Sequence, residues 1–239
     1  MRPLSETWEA LRALAPASLP APLRTRLAEL WARDALLEHA SVASFSKFSL
    51  HLMAVAAPPA LLHDAHQAAL DEIQHARLCF ALASAYAGEP LGPGPLPLEG
   101  DLLGPLDLPT ITAAAVREGC IGETLASLEA AEAHERAQAP APREALGTIA
   151  EDEARHAELA WRFVRWSLDQ GDEATRVAVE QAFREALQGA RPADAPPDPL
   201  EGELAYHGRL SERQRGQLWT QGLFEVVKPA AEALLSKAF

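Results

Sequence analysis

Cysteine is almost missing from this chain. Only Cys79 and Cys120 occur, and they form no CxxC pair. That excludes a thiolate metal ribbon and a disulfide framework, and it leaves both thiols as small apolar side chains inside predicted helices. Tyrosine, isoleucine and threonine are scarce beside alanine and leucine, a balance that favours helix over sheet. Positive charge is also in deficit. Formal net charge is −13 at pH 7, a surface that repels phosphate backbones, so nucleic acid is not an expected partner. No apolar run reaches the length that spans a bilayer, so no membrane is expected. The first 22 residues hold no basic segment followed by an apolar one, hence no secretory signal, and a reducing cytoplasm is the expected compartment.

What is present is one phrase written twice. Residues 71–78 read DEIQHARL and residues 152–159 read DEARHAEL. Each contains Glu-x-x-His within a segment that reads as helix, and residues three apart share a helix face. A single Glu-x-x-His is usually a solvated charge pair. Two copies in one frame, each preceded by a mid-helix glutamate, point instead to a site for two metal ions. Glu38 precedes the first copy and Glu123 the second. Asp34 rivals Glu38, and Glu118 and Glu129 rival Glu123. Glu38 is preferred because Val42, Phe45 and Ser49 continue its face inward. Glu123 is preferred because Gly119, Gly122 and Ala126 leave room beside it. Four carboxylates among apolar neighbours are heavily penalised by desolvation and repulsion. Two divalent cations cancel their charge, and two neutral imidazoles add none.

The punctuation predicts the architecture. The expectation is one domain over 1–239: an N-terminal helix within 1–22, a four-helix bundle over 23–170, and accessory helices with a Pro-rich linker over 171–239. In the N-terminal helix Leu4, Trp8, Leu11 and Leu14 make the apolar stripe. Helix A follows Pro22 and stops before Pro58-Pro59. Helix B runs to Gly88, the residue favoured for a left-handed cap. Residues 89–110 are rich in Pro and Gly and lack helical periodicity, yet are long enough to cross a bundle end to end. Helix C starts near Leu108 and ends near Gln138. Helix D spans about 143–170, helix E follows Asp172, and the tail holds one or two helices that Pro229 kinks or divides.

The pattern Glu, Glu-x-x-His, Glu, Glu-x-x-His on four helices resembles the ferritin-like di-iron carboxylate superfamily over about residues 24–170. The resemblance implies an all-α, ferritin-like four-helix bundle with a long crossover between helices B and C, plus N- and C-terminal accessory helices. It implies metal ligands Glu38, Glu72, His75, Glu123, Glu153 and His156, with Glu72 and Glu153 bridging. The aspartate before each Glu-x-x-His, Asp71 and Asp152, is similar to those that hold a ligand histidine in the oxygenase branch. Arg155 matches that branch as well, whereas Gln74 departs from it in the first copy. Ser127, one turn after Glu123, stands where several monooxygenases carry a hydroxyl facing the oxygen pocket; a core serine bonded to its own helix is the bland reading. The implied cofactor is two iron ions, with manganese allowed at one or both positions. The implied partners are O2, an electron donor and a small apolar or amphipathic organic substrate in a pocket near Val42, Phe45, Cys120, Ala126 and Ser127. A homodimer is compatible with this. The resemblance leaves two activities: an O2-dependent oxidase or oxygenase, favoured here, and ferroxidase or iron handling.

Overall fold

The computed structural model describes residues 19–98, 100–190 and 195–236; the expected stripe of Leu4, Trp8, Leu11 and Leu14 lies outside them. Among the described residues the chain is all helix, with no strand.

α1 (Ala21–Ala54) starts directly after Pro20, with Pro22 in its first turn, where the absent N–H is not missed. Pro58 and Pro59 then restart the chain as α2 (Pro59–Ala87). Gly88 ends α2 in the left-handed region at φ 81°. The turn between α1 and α2 is short, and the two helices pack along each other. They therefore run antiparallel.

Among the described residues of 88–107 there is no helix. This segment is tied at both ends of the bundle. The Leu91 N–H donates to Ser84 Oγ at the end of α2 (2.9 Å), and Leu103 O lies 2.8 Å from His51 Nε2 at the end of α1. It thus travels the full length of α2, about 40 Å at 1.5 Å per residue. Twenty extended residues reach that far with slack. The expected crossover is there, and it makes the next helix parallel to α2.

That helix, α3 (residues 108–136), has three parts. Leu108–Ala115 is α-helical and capped by Asp107, whose side chain accepts the Thr110 N–H at 2.9 Å. Val116–Glu123 widens into a π-helix, and Thr124–Arg136 returns to α. α4 (Pro140–Gln170) follows after a tight connection. α5 (Glu173–Gly189) is capped by Asp172 as expected and packs on the first part of α3. α6 (Glu201–Tyr206) supports the α3–α4 connection, because Tyr206 O accepts the Gln138 and Ala139 N–H groups at 2.9 and 3.0 Å. α7 (residues 212–236) opens with a Ser211–Gln214 capping box. Pro229 does not divide it. The turn before the proline widens to π over Leu223–Val227, which absorbs the missing donor and the ring's clash.

Two apolar cores fill the bundle. One is built from Phe45, Leu52, Leu61, Ile111, Val116 and Phe163 with their neighbours. The other is built from Leu27, Trp31, Phe80, Leu82, Leu146 and Ile149 with theirs. Along α1, α2 and α4 the boundary between them falls at Glu38, at Glu72 and His75, and at Glu153 and His156. The polar cluster is a layer between two greasy plugs. No described helix is long and apolar enough to cross a membrane.

Candidate metal centre

In that layer the structure brings all six expected ligands together. Glu38, Glu72, His75 and Glu153 offer ligand atoms within 4.8 Å of one another, as do Glu72, Glu123, Glu153 and His156. Glu72 and Glu153 belong to both groups. The rivals are elsewhere. Asp34 pairs with Arg209 at 2.5 Å, Glu129 accepts the Trp219 indole N–H at 2.6 Å, and Glu118 is exposed.

The imidazoles are aimed by the opposite repeat. His75 Nε2 meets Asp152 Oδ2 at 2.9 Å, and His156 Nε2 meets Asp71 Oδ2 at 3.4 Å. The aspartate of each repeat therefore orients the histidine of the other. Arg155 bridges the pair, touching Asp152 and lying 3.7 Å from Asp71. An Nε2–H donated to a carboxylate leaves the lone pair on Nδ1. Both Nδ1 atoms point into the cluster. His75 Nδ1 lies 3.5–3.7 Å from Glu38, Glu72 and Glu153, and His156 Nδ1 lies 3.2 Å from Glu72 and 3.3 Å from Glu153.

These atoms test whether metal ions fit. Both Nδ1 atoms, Glu72 Oε2 and Glu153 Oε2 are fully buried without a hydrogen-bond partner. Buried polar atoms are rarely left so, because each carries a desolvation penalty. A cation is the partner that satisfies imidazole lone pairs and carboxylate oxygens together. The electrostatics agree. Desolvation pushes Glu38 up to about 8, and pushes Glu123 well above its usual range with help from Glu153. Burial also acts to raise Glu72 and Glu153, but His156 and His75 outweigh it and hold both low. Burial works against charge on the histidines, yet the carboxylates overcome it, raising His75 strongly and His156 to about 9. Protein groups alone balance this layer only by retaining protons. The oxygen and nitrogen donors are of the kind that could hold a metal ion.

The backbone on the α3 side is special. Glu123 closes the π segment. A Cβ on Gly119 would overlap the Ala160 methyl, so this glycine is what lets α3 lie against α4. The sequence carries the glycines but does not announce the wider turn.

Two cavities reach the cluster. A small one of about 50 Å³, lined by Phe45, Phe48, Ile111 and Leu159, meets Glu123 and His156. Phe45 sits edge-on to the His156 ring at 4.9 Å. A large cleft of about 1000 Å³ meets Glu38, Glu123 and Glu153, and Ala126 lines it. Val42 is half-buried and Cys120 is fully buried in the core; neither lines these cavities. The Ser127 hydroxyl donates to Ala150 O across to α4 at 3.2 Å. The outer part of the large cleft is built from the tail, including Arg209 and Trp219. Nothing in the sequence spacing marks Arg209, since its partner Asp34 lies near the other end of the chain. Comparison with family models, curated proteins and solved structures finds no match.

Proposed function

We propose that the protein is an O2-dependent di-iron oxidase or oxygenase of the ferritin-like kind, acting on a small apolar or amphipathic organic substrate. One observation carries the reading: two four-ligand groups share Glu72 and Glu153, and each contains a buried imidazole nitrogen with no other partner. The helix order, with one long crossover before α3, supports the ferritin-like assignment. Two iron ions, or a pair containing manganese, would supply the redox chemistry with O2, fed by an external electron donor. Glu38 and His75 would serve one ion, Glu123 and His156 the other, and the shared glutamates would join them. Asp152 and Asp71 keep each proton on Nε2, which leaves Nδ1 free to bind. The apolar plugs flank the layer above and below, and the large cleft gives it access from the side of Glu38, Glu123 and Glu153.

The test has two arms. Protein purified without added metal is analysed for elements, then supplied with ferrous iron, reductant and O2. The expected result is about two metal ions per chain and oxygen consumption that yields an oxidised organic product. Glu72→Ala removes a ligand from both groups and is expected to abolish uptake of both ions. A protein without metal, whose melting temperature ignores both iron and Glu72→Ala, ends the proposal. Growth of an iron mineral core with no organic product replaces it with iron handling.

A further inference from the structure

The large cleft has a second chemistry at its outer end. Arg209 lines it and is only 7% exposed. Gly208, at φ 73°, makes the left-handed turn that delivers it, and a Cβ there would strike Leu146. One nitrogen of Arg209 pairs with Asp34, and the guanidinium lies 4.7 Å from the centre of the Trp31 ring. Its Nε has no hydrogen-bond partner. Arg215 lines the same end, and among the described residues it has no ion-pair partner within 4 Å. The acids nearby offset part of this charge: Asp34 is held by Arg209, Glu129 accepts the Trp219 indole N–H and lies near both arginines, and Glu212 sits on the exposed rim. Between this end and the glutamate cluster the wall includes the apolar side chains of Leu37, Ala126, Ala130 and Ile149.

We infer that this cleft binds a small monocarboxylate with an apolar body, its carboxylate on Arg209 and Arg215 and its apolar end at the glutamate cluster. Guanidinium groups match a carboxylate in shape and charge. Asp34 and Glu129 remain close enough to disfavour a dianion such as a phosphate monoester. The length follows from the helices. Asp34 precedes Glu38 by one turn, about 6 Å, and Glu129 follows Glu123 by about 9 Å of rise. An acid the size of octanoate spans that gap, whereas acetate cannot touch both ends. Binding stands on the cleft itself; oxidation of the apolar end at the cluster would rest on the function proposed above.

Trp31 and Trp219 line the cleft and report on it. Sodium octanoate, octan-1-ol and acetate are titrated into the full chain, followed by tryptophan fluorescence and calorimetry. Octanoate is expected to bind about tenfold or more tighter than the alcohol, with acetate weaker than both. Arg215→Gln is expected to weaken octanoate by about tenfold while leaving the alcohol unchanged, and Arg215→Lys to recover part of the loss. Equal binding of acid and alcohol, no octanoate binding, or an unchanged Arg215→Gln variant overturns the inference. These readouts need no turnover. Octanoate binding to a chain that takes up no metal supports this site and sinks only the metal centre. Two metals bound and no octanoate binding sinks only this site.

Discussion

Asp152→Asn is the sharpest probe of how the centre is aimed. Asp152 is buried, 2.9 Å from His75 Nε2, and its other oxygen is held by Arg155. Asparagine keeps the shape and loses the charge. Its amide can turn to present NH2 to Nε2, which would move the imidazole proton to Nδ1, the atom that must bind metal. Loss of such an aspartate typically weakens a metal site by about 10- to 100-fold, or about 1.4–2.7 kcal/mol. The contacts also predict an order. His156 Nε2 lies farther from its carboxylate, at 3.4 Å from Asp71, and Arg155 is 3.7 Å from that aspartate, while it touches Asp152. Asp71→Asn is therefore expected to lose less affinity than Asp152→Asn. The assay is competition for metal against a chelator of known affinity, with circular dichroism to check the fold. Equal affinity in wild type and Asp152→Asn would refute the claim that these aspartates set the tautomer. A larger loss in Asp71→Asn would refute the ranking.

Gly119→Ala forces a methyl into the space of the Ala160 methyl, so α3 must move off α4 at the cluster. Overpacking of this kind costs about 1–3 kcal/mol in thermal unfolding, and Ala160→Gly in the same chain is expected to restore most of it. No rescue by the double change would mean that the glycine matters for the π turn and not for the approach. His207 supplies the pH prediction. Its ring is buried, Nδ1 lies 2.9 Å from the Tyr86 hydroxyl, and burial holds its pKa below the usual value. A depressed folded pKa means that the unfolded chain takes up the proton first. Stability from this residue is thus full above about pH 6.5 and falls as pH drops below it. His207→Gln is expected to flatten that part of the stability curve between pH 7 and pH 5, and a parallel curve in the variant would assign the loss to other groups.

Much of the architecture was legible because its signals are local. Pro58-Pro59 and Gly88 mark helix ends through constraints that no distant contact needs to supply, whereas α1 starts one residue before Pro22 and not after it. The crossover was legible from the Pro- and Gly-rich stretch, and Glu72, His75, Glu153 and His156 from a spacing that places Glu and His on one helix face; Glu38 and Glu123 were singled out from rivals by their neighbours. What was hidden depends on pairs far apart in sequence. Asp152 with His75, Asp34 with Arg209 and Tyr86 with His207 are each set by packing, and neither residue alone predicts its partner. Pro229 was expected to kink or divide the last helix because a proline removes a donor; it does not divide it, and the turn before it is widened. Ser127 sits at the expected place, one turn past Glu123, but its hydroxyl finds the Ala150 carbonyl of the neighbouring helix.

The two halves of the bundle supply the same ligands on different backbones. α1 and α2 carry Glu38, Glu72 and His75 on regular α-helix, and Leu27 and Trp31 fix one flank. α3 carries Glu123 at the end of a π segment next to two glycines, and both cavities that reach the cluster have a wall on α3. A ligand set with matched charges on both sides gives no reason for this inequality. Access does. A π turn shifts the side chains beyond it around the helix, and glycines remove the bulk that would close the approach. The small apolar cavity at Phe45 and the large cleft leading to Arg209 then both reach Glu123. Two entrances of different size and polarity suit two reactants of different size and polarity, one small and apolar, the other larger with a charged end.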